Sequence, residues 1–509
     1  MDYTVSILPR ETINTLGWKV VFLPLEMDSV KVAYGTFFGA HISKSSFKKV
    51  AEFHPDVLVA QATSQDYGPH YQCTGTTMFS SQGDKEIIRQ FVLAALDMDV
   101  PFIFSLGTAG SDAGLEGDLR LVDEILREEK RKMRVAVISG EIDKAYVLKQ
   151  IKQGKKITRL AIHPRFSENL TVKDVQEAIN IIGQMGPEPI MQYIDMIDKK
   201  EIDGIITGRA LDVGLLMAYP LKRGFSRDVV AHMGKSMENG AMATELVEGL
   251  PPETTGVSHE LVCAEVYKDH FLIRPFNPAL RCTPQSVTLE TFYERGNPTM
   301  ERMPGGHLDL SRARYEQYDE RTVKAYGGKW IPSEYSIKIE AGKMIGYRTI
   351  NVLGVRDPTV IERIGQLTES VSKETKEVIP PEKWGNYTLL FHIFGKNAVL
   401  GPLETVQEIR GHEICVIIDV IADTQQLASH VVGAADRFLL FKKGMMSTGD
   451  ISVPFGPQIM ELGSSYIWNI WHRMEVDDPH EPFRSVAPME FPRKQTDLIP
   501  FYKGFRSIG

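Results

Sequence analysis

Four short apolar runs in the first half of the chain share one pattern, because a polar loop that contains glycine follows each of them. The runs span residues 56–61, 102–106, 134–138 and 203–207. Continuous apolar runs of this length are typical of parallel strands that are buried on both faces. Segments with helical periodicity separate them, at 84–96, 171–185 and 226–248. The pattern predicts an α/β fold in which residues 1–250 form a mostly parallel, doubly wound sheet.

The loops after the four runs are the first place to look for function. Sheets of this kind bind ligands beyond the carboxyl ends of their strands, where the strand order reverses. We therefore predict that the four loop tips line one cleft.

The composition of the chain changes near residue 251, where glycine, proline and alternating polar positions become more frequent. This composition predicts a β-rich region over 251–380 that completes or covers the first domain. Two strands, 337–340 and 347–352, are expected to turn at Ala341-Gly342, and a helix over 359–375 is expected to lead to a boundary at Pro380-Pro381.

Residues 386–478 are predicted to form a small C-terminal α/β sandwich with the order β-β-α-β. Its predicted elements are strands at 387–394 and 413–421, a helix over 424–441 with Thr424 as its N-cap, and a strand at 464–474. The tail, 479–509, is rich in proline and charge, and we expect it to wrap the surface.

The loop after the second run is the first candidate site. It carries Gly107, Thr108, Gly110, Ser111 and Asp112 between an apolar strand and an amphipathic helix. A strand, a glycine loop and a helix start present free backbone N–H groups to an anion. The alternative is a tight turn without a ligand. The glycine spacing matches neither the dinucleotide fingerprint nor the P-loop, so no nucleotide cofactor is implied.

The loop after the fourth run is the second candidate. Arg209 beside a helix start can clamp a carboxylate or a phosphate. Asp212 in the same loop can act as a general base or can simply cap the helix, and Asp112 has the same two possible roles.

A proline-rich loop over 274–286 is the third candidate, because it holds Arg281, Cys282 and Thr283. It can close over an anionic substrate, or it can be a structural crossover in which Arg281 pairs with a surface carboxylate. Cys282 beside an arginine can have a lowered pKa, which would suit a nucleophile. No partner histidine for it can be named from the sequence.

Two further groups of residues carry charge near predicted element ends. Glu238 shares one helix face with His232 and Lys235, where core packing is the expected role. Lys396 follows a strand of the small domain, where it can contribute to an anion site or only to a turn.

Composition excludes several classes of function. The 509 residues carry a net charge of -8 and no dense run of Lys and Arg, which argues against nucleic-acid binding. Four separated cysteines and the absence of paired histidines argue against a protein-built metal site. Residues 1–5 show no secretory signal and no apolar run is long enough to span a membrane, so a cytoplasmic protein is expected.

Several of these stretches together resemble the acyclic-terpene-utilisation A (AtuA-like) family. The matching stretches are Gly107-Thr-Ala-Gly-Ser-Asp112, Met185-Gly-Pro-Glu-Pro-Ile190, Thr207-Gly-Arg-Ala-Leu-Asp212, Gly234-Lys-Ser-Met-Glu-Asn-Gly240 and Pro275-Phe-Asn-Pro-Ala-Leu-Arg-Cys-Thr-Pro284. The C-terminal part is similar to the small domain that accompanies this family, through Phe394-Gly-Lys-Asn-Ala-Val-Leu-Gly-Pro-Leu-Glu404 and Met474-Glu-Val-Asp-Asp-Pro479. The resemblance implies a role beside acyl-CoA enzymes in the catabolism of branched terpenoid acids, without a catalytic assignment.

These observations lead to three hypotheses. The first is a homo-oligomeric hydratase or dehydratase that acts without a cofactor on a small organic acid or its CoA thioester. In it, Arg209 and Arg281 hold the acid, the glycine loop stabilises an oxyanion, and Asp212 or Asp112 moves the proton. The second is a hydrolase or acyl-transfer enzyme that uses Cys282 or Ser111. The third is a non-catalytic subunit of a catabolic complex.

Overall fold

The structure is a computed structural model of the whole chain. It describes residues 11–502 except for 14–18, 22–27, 37–41, 43, 77–80, 161–166, 249–259, 407, 443–450, 454–455 and 495. Residues 1–5, where the sequence shows no secretory signal, therefore lie outside the described part.

The strands are numbered here in chain order. They are β1 Glu11–Ile13, β2 Lys19–Val21, β3 Val30–Thr36, β4 Val57–Gln61, β5 Phe102–Ser105, β6 Met133–Ile138, β7 Glu141–Ile142, β8 Ile157–Arg159, β9 Ile181–Gln184, β10 Gly204–Thr207, β11 Glu245–Leu246, β12 Val262–Val266, β13 His270–Pro275, β14 Leu280–Arg281, β15 Met300–Met303, β16 Gly306–Asp309, β17 Arg314–Gln317, β18 Val323–Tyr326, β19 Lys329–Pro332, β20 Ser336–Val355, β21 Tyr387–Phe394, β22 Ile414–Ala422, β23 Ile451–Ser452, β24 Met460–Glu475 and β25 Ser485–Phe491.

The helices are numbered in the same way. They are α1 Lys44–Phe53, α2 Pro69–Thr74, α3 Ser81–Met98, α4 Asp112–Glu128, α5 Lys144–Lys152, α6 Val172–Glu177, α7 Glu188–Met191, α8 Ile194–Asp198, α9 Asp212–Lys222, α10 Arg227–Met237, α11 Pro284–Thr291, α12 Pro358–Val378, α13 Pro381–Trp384 and α14 Gln425–Leu440.

The predicted α/β class is confirmed, with about 35% helix and 31% strand. The main sheet has the order β17-β18-β13-β12-β3-β4-β5-β10-β6-β25. Its five central strands, in the order β3, β4, β5, β10 and β6, are parallel, and they include all four predicted apolar runs. Antiparallel strands extend both edges, so the sheet as a whole is mixed rather than mostly parallel.

The main sheet is buried on both faces because its central strands carry apolar residues at most positions of both faces. One core joins strand residues such as Leu58 and Phe104 to Phe91 of α3 and Leu115 of α4. The other joins the alternate strand residues to α9 and α10. Residues of β4, β5, β6 and β10 are therefore shared between two cores, as continuous apolar runs require.

A second sheet is organised by two long antiparallel strands, β20 and β24, which pair along most of their lengths. The predicted turn at Ala341-Gly342 is wrong, because β20 continues through these residues with only a shift of register. The first half of β20 also pairs with β9, and its second half pairs with β22. β9 lies within the helix predicted over 171–185, of which only α6 is helical.

The second half of β20 belongs to a third core, which lies in the C-terminal part of the chain. This core joins β20, β21 and β22 to α12 and α14. Its first two predicted strands and its helix are present, and the Thr424 hydroxyl accepts the backbone N–H of Leu427 as the N-cap. The strand predicted at 464–474 is part of β24, and its buried Ile470 and Met474 belong to the core that contains α9 and α10 instead. The core starts at Leu353 and includes α12, which the sequence analysis placed in the region before Pro380.

The predicted surface tail is instead part of the main sheet. Its strand β25 pairs with β6 at the sheet edge. Just beyond that strand, the side chain of Arg493 is only 4% exposed and makes ion pairs with Glu116 and Asp123 of α4. Because these carboxylates are buried, they need a cation from the tail.

Candidate functional site

A cavity of about 650 Å³ lies between the main sheet and the second sheet. Its floor comes from residues that follow β4 and β10 and from the end of α10, and its opposite wall comes from β20 and β24. Among the predicted site residues, Arg209 and Asp212 line this cavity. Other polar residues that line it include Gln65, Asp66, Gln184, Lys235, Glu238, Lys338, Arg473 and Glu475.

Arg209 forms the buried floor of the cavity, and protein groups already occupy most of its donors. Its side chain is 1% exposed. One terminal nitrogen, Nη1, donates to Asp212 Oδ1 at 2.8 Å and to the Thr63 carbonyl at 2.9 Å. The other, Nη2, donates to Gln65 Oε1, and Nε lies 3.9 Å from Glu340 Oε1. Arg209 therefore holds the floor together, which leaves it poorly suited to clamp a substrate as predicted.

Asp212 lies at the surface of the cavity, where its carboxylate could take part in acid–base chemistry. Asp212 is the first residue of α9, and Leu211 holds the N-cap position without a side-chain cap, so Asp212 is not the cap that the sequence allowed. The carboxylate instead faces the cavity with 16% of its side chain exposed and is held by Arg209.

The glycine loop supports Arg209 and does not line the cavity. Gly110 has φ +77°, and an added Cβ would lie 2.5 Å from Arg209 Cβ, so only glycine fits there. The Gly107 N–H donates to Asp118 Oδ2 at 2.6 Å, so a helix carboxylate already occupies the anion position. This contact gives no support to the predicted oxyanion role of the loop.

The hydroxyl residues of that loop are also used within the fold. The Thr108 carbonyl accepts the N–H of Ser64 at 2.9 Å. Ser111 is 1% exposed and caps α4 by accepting the N–H of Gly114 at 3.2 Å. A buried capping hydroxyl that is remote from the cavity is not a nucleophile, and this argues against the Ser111 hydrolase.

Lys235 and Glu238 form a second ion pair on the cavity floor. Burial and the nearby Asp212 carboxylate raise the pKa of Glu238 to about 7, against the opposing effect of Lys235. Beneath the pair, the Tyr34 hydroxyl donates to the Glu238 backbone carbonyl at 2.7 Å. Contrary to the expectation of core packing, both charged residues of this face reach the cavity.

His232, the third residue of that helix face, does lie in the core. It is 1% exposed, and its Nε2 lies 2.9 Å from the Tyr315 hydroxyl. Burial lowers the pKa of His232 to about 3, so the imidazole is neutral and has a structural role.

Apolar and charged residues alternate along β20, so that its charged face forms part of the opposite wall of the cavity. Ile337 and Ile339 point into the core, while Lys338 and Glu340 point toward Arg209. Lys338 Nζ lies 3.4 Å from Glu340 Oε2 and 3.7 Å from the centre of the Trp471 ring.

Asp112 lies in a different cluster, outside the cavity. Its carboxylate accepts the Ser139 hydroxyl at 2.5 Å and Arg484 Nη2 at 2.7 Å, and its N–H donates to Glu141 at 3.1 Å. Burial raises the pKa of Asp112 and that of Glu141, the latter to about 7. Arg484 comes from the tail and Asp112 does not line the cavity, so this cavity gives no support to the predicted catalytic role of Asp112.

The proline-rich loop matches the structural alternative. Arg281 makes ion pairs with Glu245 at 2.8 Å and with Glu248 at 3.2 Å. Thr283 caps α11 in a reciprocal pair with Ser286. Cys282 is fully buried, and burial raises its pKa, the opposite of what a nucleophile needs. None of the three predicted residues in this loop lines the cavity.

Lys396 lies in the C-terminal part, beside α12. Its N–H donates to the Ile393 carbonyl in the turn after β21, and its Nζ lies against Gly365. The turn alternative therefore describes it, and the predicted anion-binding role is not supported.

Two negative findings apply to the part of the chain that the structure describes. No group of three or more His, Cys, Asp or Glu side chains is arranged to hold a metal ion. None of the helices combines the length and the apolar composition that crossing a bilayer requires.

Comparison with known proteins gives no further constraint. The chain matches no protein-family model, no curated protein and no solved structure.

Proposed function

We propose that the chain is an enzyme of the hydro-lyase class, a hydratase or dehydratase that acts on a small organic acid or its CoA thioester. Glu238 takes the proton-moving role that the sequence analysis gave to Asp212 and Asp112. The observation that carries the proposal is the floor of the cavity, where an acid with a pKa near neutrality lies beside a lysine and a second carboxylate.

The environment of Glu238 suits acid–base chemistry near neutral pH. A general acid or base works best when its pKa lies near the working pH. The Asp212 carboxylate, which Arg209 holds in place, raises the pKa of Glu238, while Lys235 keeps its ionised form accessible. Arg209 is thus a positioning residue rather than a substrate clamp.

The proposed reaction needs one group that can move one proton twice. In the dehydration direction, the Glu238 carboxylate takes a proton from the carbon next to the acyl group. The C–O bond at the neighbouring carbon then breaks, and its electron pair leaves with the oxygen. Glu238 returns the proton to that oxygen, so water and an alkene result. The Lys235 ammonium supplies positive charge for the enolate-like oxygen that forms between these steps.

The buried thiol and the capping hydroxyl described above disfavour the hydrolase. The non-catalytic subunit is the alternative that the experiment below addresses. Four finer predictions from the sequence remain proposals: membership of the AtuA-like family, the doubly wound arrangement, a cytoplasmic location and self-assembly.

The test is incubation in D₂O with a panel of 3-hydroxy acids and their CoA thioesters, followed by NMR. We expect deuterium incorporation beside the acyl group and alkene formation for one member of the panel. Glu238→Gln should lower this rate at least about 100-fold, because it removes the general acid–base group. Glu141→Gln is the matched control, since its acid has a similarly raised pKa but lies outside the cavity.

Two results would contradict the proposal. If no panel member reacts but one stabilises the wild-type protein against heat, the chain is a binding subunit. If Glu238→Gln keeps the wild-type rate, another group moves the proton.

A further inference from the structure

Two cations stand directly opposite each other on the cavity wall formed by β20 and β24. Lys338 of β20 is the cross-strand partner of Arg473 of β24, and both side chains line the cavity. Directly opposed residues of an antiparallel pair have Cβ atoms roughly 4.5–5.5 Å apart and point to the same face. Like charges in this arrangement destabilise a sheet unless something between them is negative.

The protein compensates only one of these two cations. Lys338 makes an ion pair with Glu340 and lies over the Trp471 ring. Arg473 makes no ion pair and no side-chain hydrogen bond with any residue that the structure describes. Asp66 and Glu475 also line the cavity, but neither pairs with it.

Among the described neighbours, Asp66 lies near enough to act on Lys338, but none forms an ion pair with Arg473. Glu340 is 1% exposed and also faces Arg209 at 3.9 Å, so two cations already share its carboxylate. Across the strands, Lys338 faces the neutral Gln184 of β9 and Arg473 faces the neutral Thr158 of β8. A guanidinium that opens on a cavity with its donors free matches an oxyanion in geometry and in charge.

We propose that Lys338 and Arg473 form a subsite that binds an oxyanion group of the ligand, either its own carboxylate or a phosphate of a thioester carrier. The inference deepens the proposed function and rests on it, because it takes the cavity to be the active site. The subsite lies on the wall opposite Glu238, so it anchors one end of the ligand while the acid–base group acts on the other. It replaces the clamp that the sequence analysis assigned to Arg209 and Arg281.

The experiment measures thermal stability at low ionic strength, without ligand and with three probes. The probes are 3-hydroxybutyrate for a carboxylate, inorganic phosphate, and free coenzyme A for a carrier phosphate. Wild type should be stabilised by 3-hydroxybutyrate if the carboxylate is bound, and by phosphate and coenzyme A if the carrier is bound. Arg473→Gln should weaken the apparent binding of the active probe by about tenfold or more.

The unliganded protein gives an independent readout. Arg473→Gln should melt at a higher temperature than wild type, because the opposed like charges are gone. Arg410→Gln is the matched control, since it makes the same charge change at a residue whose side chain is 81% exposed, and it should leave both melting and binding unchanged.

Glu238→Gln separates this inference from the proposed function, because it should lose turnover and keep probe binding. The subsite is disproved if no probe stabilises wild type, if Arg473→Gln binds the probe as wild type does, or if Arg473→Gln melts at a lower temperature without ligand. If probe binding depends on Arg473 but Glu238→Gln retains turnover, the subsite stands and the acid–base assignment fails.

Discussion

Two aspartate–arginine pairs follow neighbouring strands of the main sheet, and only one of them lines the cavity described above. Asp212 and Arg209 follow β10 and lie 2.8 Å apart, while Asp112 follows β5 and lies 2.7 Å from Arg484. The first pair comes from one loop and lines the cavity. In the second pair the arginine comes from the tail, 372 residues away, and the pair fastens the tail to the sheet.

The comparison shows that a perturbed acid does not by itself identify a site. Glu238 and Glu141 both have a pKa raised to about 7, with burial as the largest cause. Each also lies near an aspartate and a cation. The difference lies in access, since only Glu238 lines the cavity into which a ligand could enter.

The largest expected difference between the two pairs is in stability. Arg209→Met should lower the free energy of unfolding by about 3–5 kcal/mol, because it leaves Asp212 without its buried cation and leaves Glu340 with Lys338 alone. Arg484→Met should cost less, about 1–3 kcal/mol, since that side chain is 24% exposed. Urea unfolding followed by circular dichroism measures both. Equal losses in the free energy of unfolding, or a larger loss for Arg484→Met, would contradict the conclusion that Arg209 holds the cavity floor together.

The pH dependence of stability should show both raised acids. The ordinary pKa of a glutamate is 4.5, so the unfolded chain ionises Glu238 and Glu141 at lower pH than the folded protein does. The stability that these two acids contribute therefore falls as pH rises from 4.5 to 7, because the unfolded chain loses these protons before the folded protein does. Urea unfolding at several pH values should give a shallower fall for Glu238→Gln and for Glu141→Gln. A slope that Glu238→Gln leaves unchanged would contradict its raised pKa.

The smallest expected effect is a difference in alkylation rate between two cysteines, which tests whether Cys282 is a nucleophile. Cys282 is fully buried with a raised pKa, whereas Cys415 is partly exposed. Iodoacetamide should therefore modify Cys415 of the native protein before Cys282, as peptide mass spectrometry can show. Rapid alkylation of native Cys282, with loss of turnover, would restore the hydrolase.

The sequence could predict features that depend on residues close together in the chain, but not contacts between residues far apart in it. The four apolar runs and the Arg209–Asp212 pair were accessible because their signals are local. Lys235 and Glu238 share a face by their spacing of three, but that spacing does not show whether the face meets the core or a cavity. Tertiary packing decided that question.

The remaining contacts depend on pairing between distant segments. The tail contact of Asp112 and the opposition of Lys338 and Arg473 both require strand registers that no local pattern gives. The sequence did predict a strand at 337–340, but it did not show what the charged side chains of that strand face. Glycine spacing was misleading, because Gly110 makes room for the backbone of Arg209 rather than for an anion.

The most direct test of the account is the pH–rate profile of the exchange reaction in two aspartate variants. Wild type should show a midpoint near pH 7, set by Glu238. Asp212→Asn should move that midpoint to lower pH, because it removes a negative charge that raises the pKa of Glu238. Asp112→Asn should leave the midpoint where it is. A midpoint that follows Asp112 and ignores Asp212 would show that the reacting acid lies outside this cavity.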